Sequence, residues 1–183
     1  MENVYEVSDF LLPEELDTID RMMKDKKIEQ EDGVLGRILY TLPIPSEMRE
    51  AMQQRVENLV GRKLDAIGEA FAEYSGKYGQ PNLPPHFDGD TNSLIVDYQY
   101  RGNTSWGLGV GTTVFEMEDN KAIIFNPNEY PHWRPRKTFE EGEVITMIFF
   151  RFPDRSGKTD YSHMRMNQED EIFADIREIR DNS

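Results

Sequence analysis

Apolar and polar positions recur along this chain with two different periods, and the change of period near Gly61 divides it. Residues 4–10 read as a short strand, after which Leu12-Pro13-Glu14-Glu15 opens a helix with proline and acids in its first turn. Leu16, Ile19 and Met23 give that helix an apolar stripe, and Lys24, Lys26 and Lys27 close it with charge that complements its dipole. A second helix is predicted over residues 46–60, with Met48, Met52, Val56 and Leu59 on one face and Gly61 as its stop. Methionines at that spacing suit either a partner-binding groove or ordinary core packing against a sheet, and we favour the core.

From residue 70 to 152 the pattern is that of strands separated by Gly, Pro, Asn and Asp clusters. Leu94, Val96, Tyr98 and Tyr100 fall on one face of a strand, with Ile95, Asp97 and Gln99 on the other. Residues 112–117 and 121–125 are predicted to form a hairpin through Glu118-Asp119-Asn120, and the very apolar run 144–152 to form a central strand. Ile172, Phe173, Ile176 and Ile179 predict a short helix over residues 169–180, docked on the body. There is no internal repeat and no low-complexity linker. Short strands with helices drawn chiefly from the N-terminal third predict a mainly β domain, a barrel or sandwich with flanking helices outside it.

A length of 183 residues accommodates one sizeable core, so a single domain over 1–183 is expected: helical support over 1–66, a β core over about 67–153 and a tail with a helix over 154–183. With 31% charged residues the surface is very polar, and no apolar run approaches the roughly 20 residues of a membrane span. The N-terminus lacks the basic-then-apolar pattern of a secretion signal, which leads us to expect a cytoplasmic protein without a membrane partner. Cysteine is absent, so any metal must sit on histidine and carboxylate. A net charge of −14 argues against a nucleic-acid partner, the cluster Arg134, Arg136, Lys137 being the obvious local exception.

The chain has three histidines, and the first begins a His-x-Asp pair, His86 and Asp88. Residues i and i+2 of a strand project to one face, so an imidazole and a carboxylate can meet one ion. His132 follows the predicted strand 121–125 and a turn, where a neighbouring strand would begin. Two histidines and one carboxylate on one face make the triad of non-haem Fe(II) oxygenases, with positions left open for oxygen and an organic cosubstrate. The plainer reading is a loop histidine capping a turn through Asp88 and a structural His132 beside Trp133. His163, in a polar stretch, receives no role.

Several segments together resemble the Fe(II)- and 2-oxoglutarate-dependent dioxygenases, in particular their prolyl-4-hydroxylase-like branch. Val7-Ser8-Asp9-Phe10-Leu11-Leu12-Pro13-Glu14-Glu15-Leu16 is similar to that branch's strand-to-helix entry, and Tyr78-Gly79-Gln80 to its approach to the ligand pair His86-Phe87-Asp88. Ile123-Ile124-Phe125-Asn126 followed by Pro131-His132-Trp133-Arg134 resembles its distal ligand, and Ile145-Thr146-Met147-Ile148-Phe149-Phe150 its last barrel strand. The resemblance implies a double-stranded β-helix (jelly-roll, cupin-like) core, with Fe(II) on His86, Asp88 and His132, 2-oxoglutarate as cosubstrate, and O2.

One departure stands out. The branch usually places Arg or Lys about ten residues after its distal histidine, to hold the far carboxylate of 2-oxoglutarate; this chain has Glu140-Glu141-Gly142-Glu143-Val144 there. A buried dicarboxylate still calls for a cation, preferably an arginine fork. Arg134 is the first choice, since a strand beginning at His132 turns residue 134 to the same face; Arg136 is second and Arg151 third. By the same resemblance Tyr98 is a candidate to hydrogen-bond the cosubstrate carboxylate, against a packed core tyrosine, while Thr146 faces either the cosubstrate or the back of the sheet. The run Gly107-Leu108-Gly109-Val110-Gly111 is read as a mobile loop beside the site, with Trp106 and Trp133 as candidate substrate contacts. The implied activity is hydroxylation of a C–H bond, with a peptidyl prolyl residue first among substrates and other peptides, proteins or small molecules open. The competing readings are a binding module of the same fold without turnover, and a metal enzyme of that fold that does not use 2-oxoglutarate.

Overall fold

Alternation along the longest strands decides the architecture, because both faces of one sheet are apolar. The computed structural model describes residues 2–65, 67–88, 92–153 and 165–182. In chain order the elements are β1 (Tyr5–Val7), α1 (Pro13–Met23), β2 (Ile28–Asp32), β3 (Arg37–Tyr40), α2 (Ser46–Val60), β4 (Gly68–Ser75) and β5 (Asn92–Gly102). Then follow β6 (Leu108–Val110), β7 (Thr113–Phe115), β8 (Lys121–Phe125), β9 (His132–Trp133), β10 (Val144–Pro153) and α3 (Arg165–Asn182). Seven strands form one sheet in the order β1-β8-β5-β10-β4-β3-β2, every pairing antiparallel, and β7-β6-β9 form a smaller one. Residue His86 joins the smaller sheet through an antiparallel bridge to His132.

Even-numbered residues of β10 and β5, among them Val96, Tyr98, Ile148 and Phe150, pack with Phe10, Ile19, Met52 and Val56 beneath the helices α1 and α2. Odd-numbered ones, Ile95, Ile145, Met147 and Phe149, pack with Trp106, Leu108 and Val110 between the two sheets. The methionines of α2 are thus core residues, as favoured from the pattern. Glu15 locks the two N-terminal helices together: it accepts the Leu12 N–H (2.7 Å) and receives Arg55 of α2 (3.0 Å).

Four expectations need correction. The segment 1–66 is more than helical support, because β1, β2 and β3 extend the large sheet; β2 is almost wholly exposed and so carries no alternating signal. The predicted hairpin does not form, since β7 pairs with β6 in the small sheet while β8, buried throughout, lies between β1 and β5 in the large one. Asn120, with φ of 63°, makes the crossing, and its side chain holds the N–H and the carbonyl of Leu11 (2.9 and 3.0 Å). The glycine run is strand rather than mobile loop: a Cβ on Gly109 would stand 2.1 Å from the Trp133 ring, so only glycine admits that buried indole. Finally, Leu59 is exposed, and the buried place on α2 goes to Glu57, whose carboxylate accepts the Leu64 N–H (3.0 Å).

The run 144–152 is central, flanked by β4 and β5 as expected. The side chain of Ile172 and the whole of His163 lie outside the described residues; Phe173 and Ile176 of α3 do pack inward, Phe173 edge-on to Phe87 at 5.8 Å. No helix among the described residues is long and apolar enough to cross a membrane.

Candidate metal centre

Two backbone bonds place the centre. His86 N–H donates to the carbonyl of His132 (3.1 Å) and His132 N–H to that of His86 (2.9 Å), so the two residues face each other directly across an antiparallel bridge. Residues so paired present their side chains on one side, and the rings stand 4.2 Å apart. Asp88, two residues on, is tied by its N–H to the carbonyl of Pro127 (3.3 Å) and reaches the same side. Its Oδ1 lies 3.3 Å from Nε2 of His132 and 3.7 Å from Nε2 of His86. The ligand atoms of the three residues all lie within 4.8 Å of one another, which no other trio of potential ligands achieves among the described residues.

The protonation states suit a cation. His86 Nδ1 donates to the carbonyl of Pro84 (2.9 Å), which leaves the Nε2 lone pair facing Asp88. Burial, seconded by the nearby His132, lowers the His86 pKa, so the ring is neutral where a ligand must be. Burial raises the Asp88 carboxyl, yet the hydrogen bond from His132, aided by the Arg151 charge, outweighs it and holds it below the usual carboxylate range. Nδ1 of His132 is buried and has no partner among the described residues. Two imidazoles and one carboxylate, with both Nε2 atoms facing one carboxylate oxygen, are a donor set that fits Fe(II).

The centre opens into a cavity of about 140 Å³ between the sheets. Leu35, Leu83, Ile95 and Phe149 give it apolar walls, and Tyr74, Arg37 and Arg151 supply its polar donors. Asp97 also reaches it, but its Oδ1 is 2.7 Å from Nη2 of Arg134, and both side chains are almost wholly buried.

Of the other site residues expected from the sequence, Arg151 does line this cavity, whereas Arg134, Arg136, Tyr98 and Thr146 do not. Arg134 faces the interior as strand parity requires, but its guanidinium is taken up by Asp97 and by the carbonyls of Trp106 and Gly107 (2.9 and 3.3 Å), and it stacks 5.3 Å from the Trp106 ring. Arg136 is exposed and bonded to Asp181 (2.7 Å). Tyr98 lies in the core beneath the helices and donates to Asn120 (3.0 Å). Thr146 shares that outer face, since it alternates with Ile145 and Met147 of the inter-sheet core. Trp106 and Trp133 are buried, their N–H groups bonded to the carbonyls of Pro135 (2.8 Å) and Gly111 (3.0 Å), and neither lines the cavity. Arg37 carried no signal because β3 gave none of its own, and Tyr74, on β4 within the strand-patterned region, looked like any core tyrosine. Asp97 was legible as an acid in the middle of an apolar strand, which a buried partner must balance.

No protein-family model matches the sequence, and no curated protein matches it. Solved structures do. A Burkholderia pseudomallei oxidoreductase of the 2OG-Fe(II) oxygenase family superposes with a TM-score of 0.61 at 11% identity, covering 82% of this chain and 84% of the other. A Pseudomonas putida prolyl-4-hydroxylase gives 0.57 at 14% identity, covering 84% and 93%. A Trichoplax adhaerens prolyl hydroxylase, in complex with a hypoxia inducible factor oxygen degradation domain peptide fragment, gives 0.61 at 11% identity, covering 87% and 89%. In its architecture this chain is therefore similar to 2OG-Fe(II) oxygenases and prolyl hydroxylases, a mainly β protein with flanking helices and the double-stranded β-helix core they share.

Proposed function

We propose that this protein is an Fe(II)- and 2-oxoglutarate-dependent dioxygenase that hydroxylates a C–H bond, with a peptidyl prolyl residue as the first substrate to try. The observation that carries the reading is the trio His86, Asp88 and His132, held on one face by a backbone bridge and opening on a cavity with cationic walls. Fe(II) held there, with 2-oxoglutarate and O2, supplies the oxidising power to convert C–H to C–OH, while 2-oxoglutarate leaves as succinate and CO2. The chain's own residues do the rest. The Pro84 carbonyl fixes the His86 tautomer, Asp88 supplies negative charge, and the lining residues shape the space beside them. Because Asp88 fills the third protein position, a halide has no evident place, and hydroxylation is favoured over halogenation. The peptide assignment is supported by the fold shared with two prolyl hydroxylases, one of them bound to a peptide.

One observation favours a second reading, a metal enzyme of the same fold without 2-oxoglutarate: the arginine expected as anchor is already paired with Asp97. Calorimetric titration of 2-oxoglutarate separates the two. The dioxygenase reading expects one molecule bound per Mn(II)-loaded chain and none in the presence of chelator. Absence of binding to the loaded protein leaves the second reading.

A further inference from the structure

Within the dioxygenase reading, on which this inference rests, a cation must still meet the far carboxylate of the cosubstrate. Arg134 cannot do so without abandoning Asp97, which would leave a carboxylate buried and unpaired. Arg136 is outside the cavity. Two arginines remain, and they approach from opposite ends. Arg37 is in register with Tyr74 of β4, whereas Arg151 is in register with Gly68, six residues along the same strand, which corresponds to roughly 20 Å. A single short dicarboxylate can use one of them as its end anchor.

We infer that Arg37, braced by Tyr74, is the residue that receives the far carboxylate of a 2-oxo dicarboxylic acid. The Arg37 side chain is four-fifths shielded from solvent, with 20% exposed, while Arg151 occupies an exposed strand position. A shielded guanidinium attracts a carboxylate more strongly than one in open water. Its position is set in advance: Nη1 donates to the Tyr74 hydroxyl (3.0 Å) and Nε donates to the Asp32 carboxylate in an ion pair (3.4 Å), which can persist because it leaves Nη2 free for a second acceptor. Nη2 has no acceptor among the described residues, and neither does the hydroxyl hydrogen of the wholly buried Tyr74. Arg37 and Tyr74 both line the cavity, and two N–H donors with a phenol O–H match the two oxygens of one carboxylate. The anchor thus comes from the N-terminal strand β3 rather than from the strand after the distal histidine, where the chain is acidic.

The test compares 2-oxoglutarate with 2-oxopentanoate, which keeps the 2-oxo acid end and lacks the far carboxylate, by calorimetry on Mn(II)-loaded protein. Wild type is expected to prefer 2-oxoglutarate. Arg37→Ala should weaken 2-oxoglutarate roughly 10- to 100-fold, the range of a lost charge-assisted bond, and leave 2-oxopentanoate unchanged, which also shows that the variant is folded. Arg37→Lys and Tyr74→Phe should fall between. Preference retained in Arg37→Ala and lost in Arg151→Ala overturns the anchor and leaves the dioxygenase reading intact. Failure of the loaded wild type to bind either acid overturns both.

Discussion

Asp88→Ala is expected to cost the protein its metal, lowering Mn(II) affinity by more than the roughly 10- to 100-fold that follows removal of a hydrogen-bond partner from a metal ligand. The reason is electrostatic as well as geometric. Asp88 is the one negative charge among the three converging groups, and its Oδ1 is the atom both Nε2 atoms face. Without it two imidazoles remain and no negative charge offsets the cation. The fold should survive the change, because the link from residue 88 to Pro127 is made by the backbone N–H. Thermal unfolding reports both effects. A ligand that binds only the folded state at 1,000 times its Kd adds about 4 kcal/mol, so excess Mn(II) should raise the wild-type Tm and leave that of Asp88→Ala unmoved. Equal stabilisation of both proteins would place the metal elsewhere.

Arg134→Ala is expected to be the most destabilising single change, by about 3–5 kcal/mol, the range for breaking a buried ion pair from one side. Three acceptors lose their donor together: the Asp97 carboxylate and the carbonyls of Trp106 and Gly107. Burial already pushes the Asp97 carboxyl up, with Arg134 as its main counterweight, so an unpaired Asp97 would have to take up a proton or admit water. Total stabilities of domains are about 5–15 kcal/mol, which puts the variant close to unfolding. Replacing both partners by apolar residues, Asp97→Leu with Arg134→Met, should recover part of the loss by removing the buried charge. Recovery stays incomplete because the two carbonyls still lack donors. Urea unfolding with an unchanged m-value measures each term. A single variant within about 0.5 kcal/mol of wild type, the usual surface-substitution range, would show that the pair is not the structural clasp described here.

Periodicity made the centre legible, and the limits of periodicity explain what it missed. His86 and Asp88 at i and i+2 were expected to share a strand face and His132 to come from a neighbouring strand; the structure bridges His86 to His132, while Asp88 lies outside any strand and is brought to the same side by its N–H bond to Pro127. Parity also sent Arg134 inward. What parity cannot say is which of two apolar faces holds the site. Tyr98 and Thr146 sit on the helix-covered face of the large sheet, whereas the site lies on the face of Ile95 and Met147, whose local mark in β5 is the acid Asp97. The pairing of β7 and β8 with different sheets is likewise a tertiary outcome, because a loop of turn-forming residues suits a hairpin and a crossing equally. Arg37 was hidden for a simpler reason: on a four-residue strand, beside an exposed β2, it looks like any surface arginine.

Succinate release from 2-oxoglutarate under air with added Fe(II) tests the central claim most directly, run with and without a panel of prolyl peptides and with Asp88→Ala as control. The account predicts succinate from the wild type, increased by a hydroxylated peptide, and none from Asp88→Ala. Succinate from the wild type at no more than the Asp88→Ala level in every mixture would contradict it.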